Sequence, residues 1–359
     1  MVEHPTVQLP VRFAVIRGSA RTVQAWLAGQ LAPQELVSGP VTLAVWGPLY
    51  GTADGKAVGT LAGVVFNHVQ MRRKIADRGL DAQNCDHPAL AVHHVGSFGP
   101  RGLGDLRWQG SVALLHRAQG QALVARDLLG VGWLGWRRLD DGSDLLTNDP
   151  RMIGDDFALD PQQHAVPPGL AVAVDAQGTR GVRVDYAAEN QAFLREIPDV
   201  LRQASAVESA AEAQHRLSAA VLACVDAHGG LSTLPELVPK FARDQMDLCG
   251  DGPAQWTLAG LGDVPPDDAE ILPSREGPWT DPGPAEPIDR VAPDELRRRL
   301  WRHRALPDGA MRRAQAEALA TGRCLVAPHL DPAVLAWVEA VRVTRGRDAD
   351  LAASARSSS

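Results

Sequence analysis

Lysine is nearly missing from this chain: Lys56, Lys74 and Lys240 are the only three among 36 basic residues, so arginine carries almost all the positive charge. That skew reads as the codon bias of a GC-rich genome rather than as a designed surface. Acidic residues number 43 and the formal net charge is −7, so the chain lacks the basic footprint that nucleic acid or an anionic membrane would require. Four scattered cysteines, Cys85, Cys224, Cys249 and Cys324, include no CxxC pair, which excludes a readable disulfide framework or zinc cage. Reduced thiols in the cytoplasm are the expectation. No apolar run approaches the ~18 residues of a membrane span, and the opening MVEHPTVQLPVRF has no apolar signal region, so a soluble, unexported chain is expected. What is present is an ordinary globular composition, 45% hydrophobic and 22% charged over 359 residues, which excludes wholesale disorder, collagen and coiled coil. The length suits two domains at ~100–200 residues each.

From about residue 10 to 186 short apolar runs alternate with Gly, Asp and Pro punctuation, which predicts strands. They are VRFAVIRG, VTLAVWG, GTLAGVVFN, GSVALLHR, QALVARDLLG, WLGWRRL, DLLTND, GLAVAVDA and RVDY. Two helices interrupt them. HVQMRRKIADRG places Val69, Met71 and Ile75 on a shared face with Gly79 as C-cap, and HPALAVHHVGSFG opens at Asp86 as N-cap and closes at Gly96. After Tyr186 the spacing turns helical, through ENQAFLREIPDVLRQA and SAAEAQHRLSAAVLACV. Residues 264–293 hold eight prolines among Asp, Glu and Gly, and too few apolar residues to order a helix or strand, so they read as an exposed connector. Helices resume with PDELRRRLWRHRAL, GAMRRAQAEALATG and DPAVLAWVEAVRV before a tail of small residues.

Three segments, GVVFNHVQMRRKIADRGL, NCDHPALAVHHVGSFGPRGLGDLRWQGSVALLHRAQGQALVARDLLGVGWLGWRR and DLLTNDPRMI, together resemble the amino-terminal domain of glutamine-dependent asparagine synthetases. Gly63 matches the glycine of that family's Asn-Gly-Glu stretch, Asp86 its Ser-Asp-Thr-Glu aspartate, and Ala125, Arg126, Asp127 and Gly130 its Ala-Arg-Asp-x-x-Gly hairpin. VPPGLAVAV at 166–174 resembles its late Pro-Gly strand. Near the other end, APHLDPAVLAWVEAV (327–341) is similar to its Pro-Phe-Leu-Asp segment, keeping Pro328, Leu330 and Asp331. LCGDGPAQWTLAGLGD (248–263) is similar to its Gly-Asp-Gly segment, keeping Gly250, Asp251 and Gly252. The resemblance implies an α/β (α+β) protein: an αββα N-terminal-nucleophile sandwich of the class II glutamine amidotransferase kind over 1–187, then a shortened, mostly helical ATP-pyrophosphatase-like domain over 188–359. The bland reading of Gly63, Asp127 and Gly130 is that they hold turns and packing.

The chemistry of that family is missing at the positions that match. Its glutaminase nucleophile is a cysteine at position 2, activated by its own amine, and here Val2 stands there. Cys85 lies far along the chain with no terminal amine, and Thr6 would serve only after trimming that nothing in the sequence signals. The oxyanion-holding Asn aligns with Ala62 and the carboxylate-binding Arg with Thr42. Loss of a single oxyanion donor costs about 10²–10³ in rate, so no catalytic residue is assigned. In the second half HGGLST, His228 to Thr233, is the nearest match to the phosphate-cradling Ser-Gly-Gly-x-Asp-Ser turn. Gly229, Gly230 and Thr233 survive there, but His228 and Ser232 replace a hydroxyl and the acid, and a helix C-cap explains the glycines as well. The acidic pair further on aligns with Ala254 and Gln255, leaving no carboxylates for Mg²⁺.

Other features read as structural. His93 and His94 are helix neighbours about 100° apart and unsuited to share a metal, Trp133 and Trp136 fall on opposite strand faces, and the run Arg297, Arg298, Arg299, Arg302 and Arg304 reads as a solvated helix face. The expected function is therefore that of a degenerate asparagine-synthetase-like pseudoenzyme: a partner-binding accessory subunit in an amide-forming or peptide-tailoring pathway, with a full-length synthetase-like or tailoring enzyme as partner. No metal or cofactor is expected. Gly63 and Asp86 are the vestigial substrate-binding residues, and Gly229, Gly230, Thr233, Gly250 and Asp251 the vestigial phosphate-binding ones. The alternative is an ATP- and Mg-dependent amide-bond-forming enzyme of the asparagine synthetase, lasso-peptide cyclase or β-lactam synthetase type.

Overall fold

The computed structural model describes residues 11–19, 27, 33–79, 85–153, 164–182, 184–187, 219–220, 222–223 and 331–333. β1 (Arg12–Arg17), β2 (Gln34–Ser38), β3 (Val41–Trp46), β8 (Gly135–Arg138) and β9 (Asp144–Thr147) form one antiparallel sheet in the order β2-β3-β1-β9-β8. The second sheet is also antiparallel. It comprises β4 (Tyr50–Gly51), β5 (Ala57–Val65), β6 (Trp108–His116), β7 (Gln121–Arg126), β10 (Ala171–Asp175) and β11 (Gly178–Val182), in the order β11-β10-β7-β6-β5-β4.

Alternation along each strand sends side chains to two different cores. Phe13 and Val15 of β1, Leu43 and Val45 of β3, Ala113 and Leu115 of β6 and Val172 and Val174 of β10 meet between the sheets. On the far side of the second sheet, Leu61, Val65, Val112 and Leu114 pack under α1 (His68–Ala76), α2 (His87–Phe98) and α3 (Pro100–Asp105), which contribute Met71, Val92, Val95 and Leu103. On the far side of the first sheet, Ala14, Ile16 and Ala44 pack with Leu27, Trp133, Met152 and Ile153, and Leu27 is itself helical. The layered α/β sandwich expected from the sequence is present, and helical Leu27 packs on the side opposite α1–α3. The carboxy-terminal half is described only at a few residues; Ala219, Ala220, Leu222 and Ala223 are helical there, as the spacing predicts.

Several local expectations are corrected. Val69 does not join the buried face of α1: it is 53% exposed, while Met71 and Ile75, four apart, are buried. The second helix does not close at Gly96. It runs to Phe98 and ends at Gly99, whose φ of 61° suits glycine, and Pro100 then opens α3. Gly96 instead lets the helix approach the strand layer, since a Cβ there would lie 2.4 Å from Thr52 Cγ2. The strand expected at RVDY falls earlier, at β11, and 184–187 is not strand. β2 and α3 were not expected. Trp133 and Trp136 do lie on opposite sides of their sheet, in the outer and inner cores respectively.

Candidate functional site

The matched residues gather where β5 meets β6 and the start of α2. Ala62 faces Ser111 and Gly63 faces Gly110 in the β5–β6 register. The strands pinch together there: a Cβ on Gly63 would sit 1.9 Å from the Gln109 carbonyl oxygen, so glycine is required for backbone approach alone. Ala62, almost buried, shares its strand face with Val58 and so points toward the space between the sheets, with a methyl group and no donor.

Asp86 caps α2, its Oδ1 accepting the Ala89 N–H at 2.9 Å, and its Oδ2 accepts the Tyr50 hydroxyl from β4. Burial, and then the bond and charge of Asp86, push the Tyr50 phenol well above its ordinary value, so it stays a donor at neutral pH. The next residue, His87, is buried and accepts the Val65 N–H on Nδ1 at 2.9 Å, with the His68 ring 4.7 Å away. Both oxygens of Asp86 are thus engaged by the protein itself, and α2 is seated on the end of β5. Cys85 is half-buried, and its carbonyl accepts from Arg72 Nε and Nη2 at 3.2 and 3.0 Å.

The Ala125–Gly130 hairpin is a second polar cluster, and a closed one. Asp127, fully buried, accepts four backbone N–H groups: those of Leu129, Val131, Gly132 and Gly110, at 2.7–3.1 Å. Burial raises its carboxyl, and these bonds oppose the rise. Arg126 is 1% exposed and donates to three carbonyls, those of Gly132, Gly130 and Val166. Gly130, at φ 66°, closes the turn with its N–H on the Asp127 carbonyl. The same knot holds the Pro-Gly segment, because Gly169 N–H donates to Asp127 O at 2.8 Å and Arg126 N–H to Leu170 O at 3.2 Å. Two motifs 40 residues apart in the sequence are thus one hydrogen-bonded unit.

Thr42 is not part of this neighbourhood. It lies buried in the first sheet, on the face it shares with Ala44, turned toward Leu27 and away from the second sheet. At the start of β1, Asn148 extends the pairing along the edge that faces β9, accepting the Phe13 N–H at 2.8 Å and donating to the Val11 carbonyl at 2.9 Å. Beside it, buried Asp149 is bonded by Arg151 through Nε and Nη2 and by Arg12 through Nη1. His94 is buried against Asp105, Nε2 to Oδ2 at 3.2 Å, while His93 is only half-buried, so the pair diverges as expected. Among the described residues no group of three or more His, Cys, Asp or Glu side chains is placed to hold a metal ion, and no helix is long and apolar enough to cross a membrane. Val2, Thr6, Gly229, Gly230, Thr233, Gly250 and Asp251 lie outside the described residues. Tyr50 and His87 carry no spacing signal, and the three-carbonyl role of Arg126 is invisible until the 166–170 segment folds against it.

Residues 183–248 match the family model of effector-associated domain 2. No curated protein sequence matches the chain. Among solved structures it is similar to glutamine phosphoribosylpyrophosphate amidotransferase from B. subtilis, complexed with ADP and GMP, at 12% identity and a TM-score of 0.35. It is also similar to an allosteric regulatory enzyme of purine biosynthesis, at 12% identity and a TM-score of 0.33. In both cases the similarity covers 51% of this chain and 46% of the other, so the chain spans less than half of their length. A glutamine aminotransferase class-II domain protein from Silicibacter pomeroyi is similar at 13% identity and a TM-score of 0.31, over 48% of this chain and 91% of that one.

Proposed function

We propose that this chain is a non-catalytic relative of the class II glutamine amidotransferases, of the asparagine-synthetase-like kind, that works by binding a protein partner. The observation that carries the reading is how the matched carboxylates are spent. Asp86 has one oxygen on its own helix and the other on Tyr50, and Asp127 has both on backbone N–H groups. Residues shared with a glutamine-hydrolysing family therefore hold the scaffold, while the position that would hold the oxyanion carries Ala62, which has no donor. The match of 183–248 to a domain named for association with an effector supports a contact role for the second half, and it takes in the HGGLST segment. In this reading Gly229 and Gly230 belong to that association segment and cradle no phosphate.

The test is chemical. Purified protein treated with an electrophilic glutamine analogue is expected to keep its mass and to release no ammonia from glutamine. A stoichiometric adduct followed by turnover would overturn the proposal. Calorimetry with ATP·Mg²⁺ is expected to show no binding, and micromolar affinity would replace this reading with that of an amide-forming enzyme.

A further inference from the structure

The described part of the amino-terminal half is left, and met again, at one corner. On the way out, residues 184–187 run along α3: Ala187 N–H donates to the Gly104 carbonyl at 3.0 Å, and a Cβ on Gly104 would lie 1.9 Å from the Asp185 carbonyl oxygen. On the way back, Asp331 lies against Arg107, in the short connection between α3 and β6, with Nε 2.8 Å from Oδ1. Asp331 is 1% exposed and Pro332 beside it is buried. The carboxylate is also fixed on its own side, since Oδ1 accepts the Ala333 N–H at 3.3 Å.

Arg107 stands on a rigid mount. Its N–H donates to Asn67 Oδ1 at 3.0 Å, its carbonyl accepts the Phe66 N–H at 2.7 Å, and Asn67 Nδ2 donates to the Asp105 carbonyl at 3.0 Å. A carboxylate withdrawn from water needs a cation held in place, and this mount supplies one. The sequence separates the two partners by more than two hundred residues, so the contact orders chain that no local turn would bring together.

We infer that Arg107 and Asp331 form an intramolecular latch that docks the 331–333 segment on the α3–β6 corner, tying down the far end of residues 188–330 beside the point where they leave the sandwich. Opening the latch releases the 331–333 segment from the α3–β6 corner while the sandwich stays folded. The latch is independent of whether the amino-terminal domain is catalytic.

Hydrogen–deuterium exchange on the full chain tests it. In Asp331→Asn, which keeps an acceptor for the Ala333 N–H, the amides of residues 331 and 333 and of 106–108 are expected to exchange at least tenfold faster, with those of β10 unchanged. Arg107→Gln is expected to give the same pattern, and the exchanged pair Arg107→Asp with Asp331→Arg to return protection of 106–108 to within threefold of the parent. Unchanged exchange in both single variants, loss of protection in β10 as well, or no recovery in the exchanged pair would each overturn the latch.

Discussion

A carboxylate that satisfies four backbone donors in a dry site is worth far more to the fold than one on the surface. Removing the acceptor at Asp127 strands N–H groups of Gly110, Leu129, Val131 and Gly132 together. Asp127→Ala is expected to cost about 3–5 kcal/mol in urea unfolding. A loss under about 1 kcal/mol would show that the turn holds itself and that Asp127 is retained for something else. Asp149 gives the clearest pH signature. Burial pushes its carboxyl up, but Arg151 and Arg12 outweigh burial and hold it below the ordinary carboxylate range. A carboxylate with a depressed folded value contributes stability that is complete above the unfolded value of about 3.9 and is lost as pH falls through the folded one. The stability gap between the parent and Asp149→Asn is therefore expected to be constant near neutrality and to close below about pH 4, read from denaturant midpoints across pH. His94 runs the other way in charge but the same way in pH. Burial, stronger than the opposing pull of Asp105, lowers its value, so the fold keeps it neutral and acidification below about pH 6.5 weakens the fold until the folded value is reached. His94→Gln is expected to flatten stability across that window.

Elements differ in how openly they are written in the sequence. Strands buried on both faces, such as β1, β6 and β10, read as continuous apolar runs and are recognisable as they stand. β2 is an edge strand of Gln34, Glu35, Leu36, Val37 and Ser38, mostly exposed, and it exists because β3 offers it a hydrogen-bonding edge rather than because its side chains demand burial. β11, with glycines at 178 and 181, is paired for the same reason. Helix ends are legible where a side chain does the capping, as Asp86 does. They are obscure where one of two nearby glycines must be chosen, because only packing against Thr52 shows that Gly96 is a contact residue and Gly99 the stop. The same holds for α1, where the periodicity offers three apolar residues and the fold buries two. Met71→Ala is expected to cost about 2–5 kcal/mol and Val69→Ala within about 0.5 kcal/mol, a contrast that thermal or urea unfolding resolves. At the site, Gly63, Asp86 and Asp127 are visible from their motifs, but what they do is not: the Asp86 carboxylate is occupied by Tyr50 and its own helix, and that of Asp127 by its own hairpin and by Gly110 across the sheet.

At the scale of the molecule, association is the property most open to direct measurement. Among the described residues the first sheet ends at β2, whose Val37 is 68% exposed on that edge strand. Light scattering on the full chain is expected to show a complex with a protein partner or a second copy, and a monodisperse monomer that forms none would count against a contact role. The placement of β1 has a consequence in time. It sits at the centre of the first sheet, yet one neighbour, β3, follows within a few dozen residues, while the other, β9, is followed directly by Asn148, which bonds β1 from 135 residues away. On a ribosome adding ~5–20 residues per second, the roughly 130 residues between β1 and β9 take about 7–26 s to appear. For that interval one edge of the future central strand, with Phe13 and Val15 on it, has no partner, although β5–β7 can already pair beneath it. Nascent chains arrested after residue 126 should therefore depend on chaperones and be protease-sensitive in β1, and chains long enough to release β9 should not.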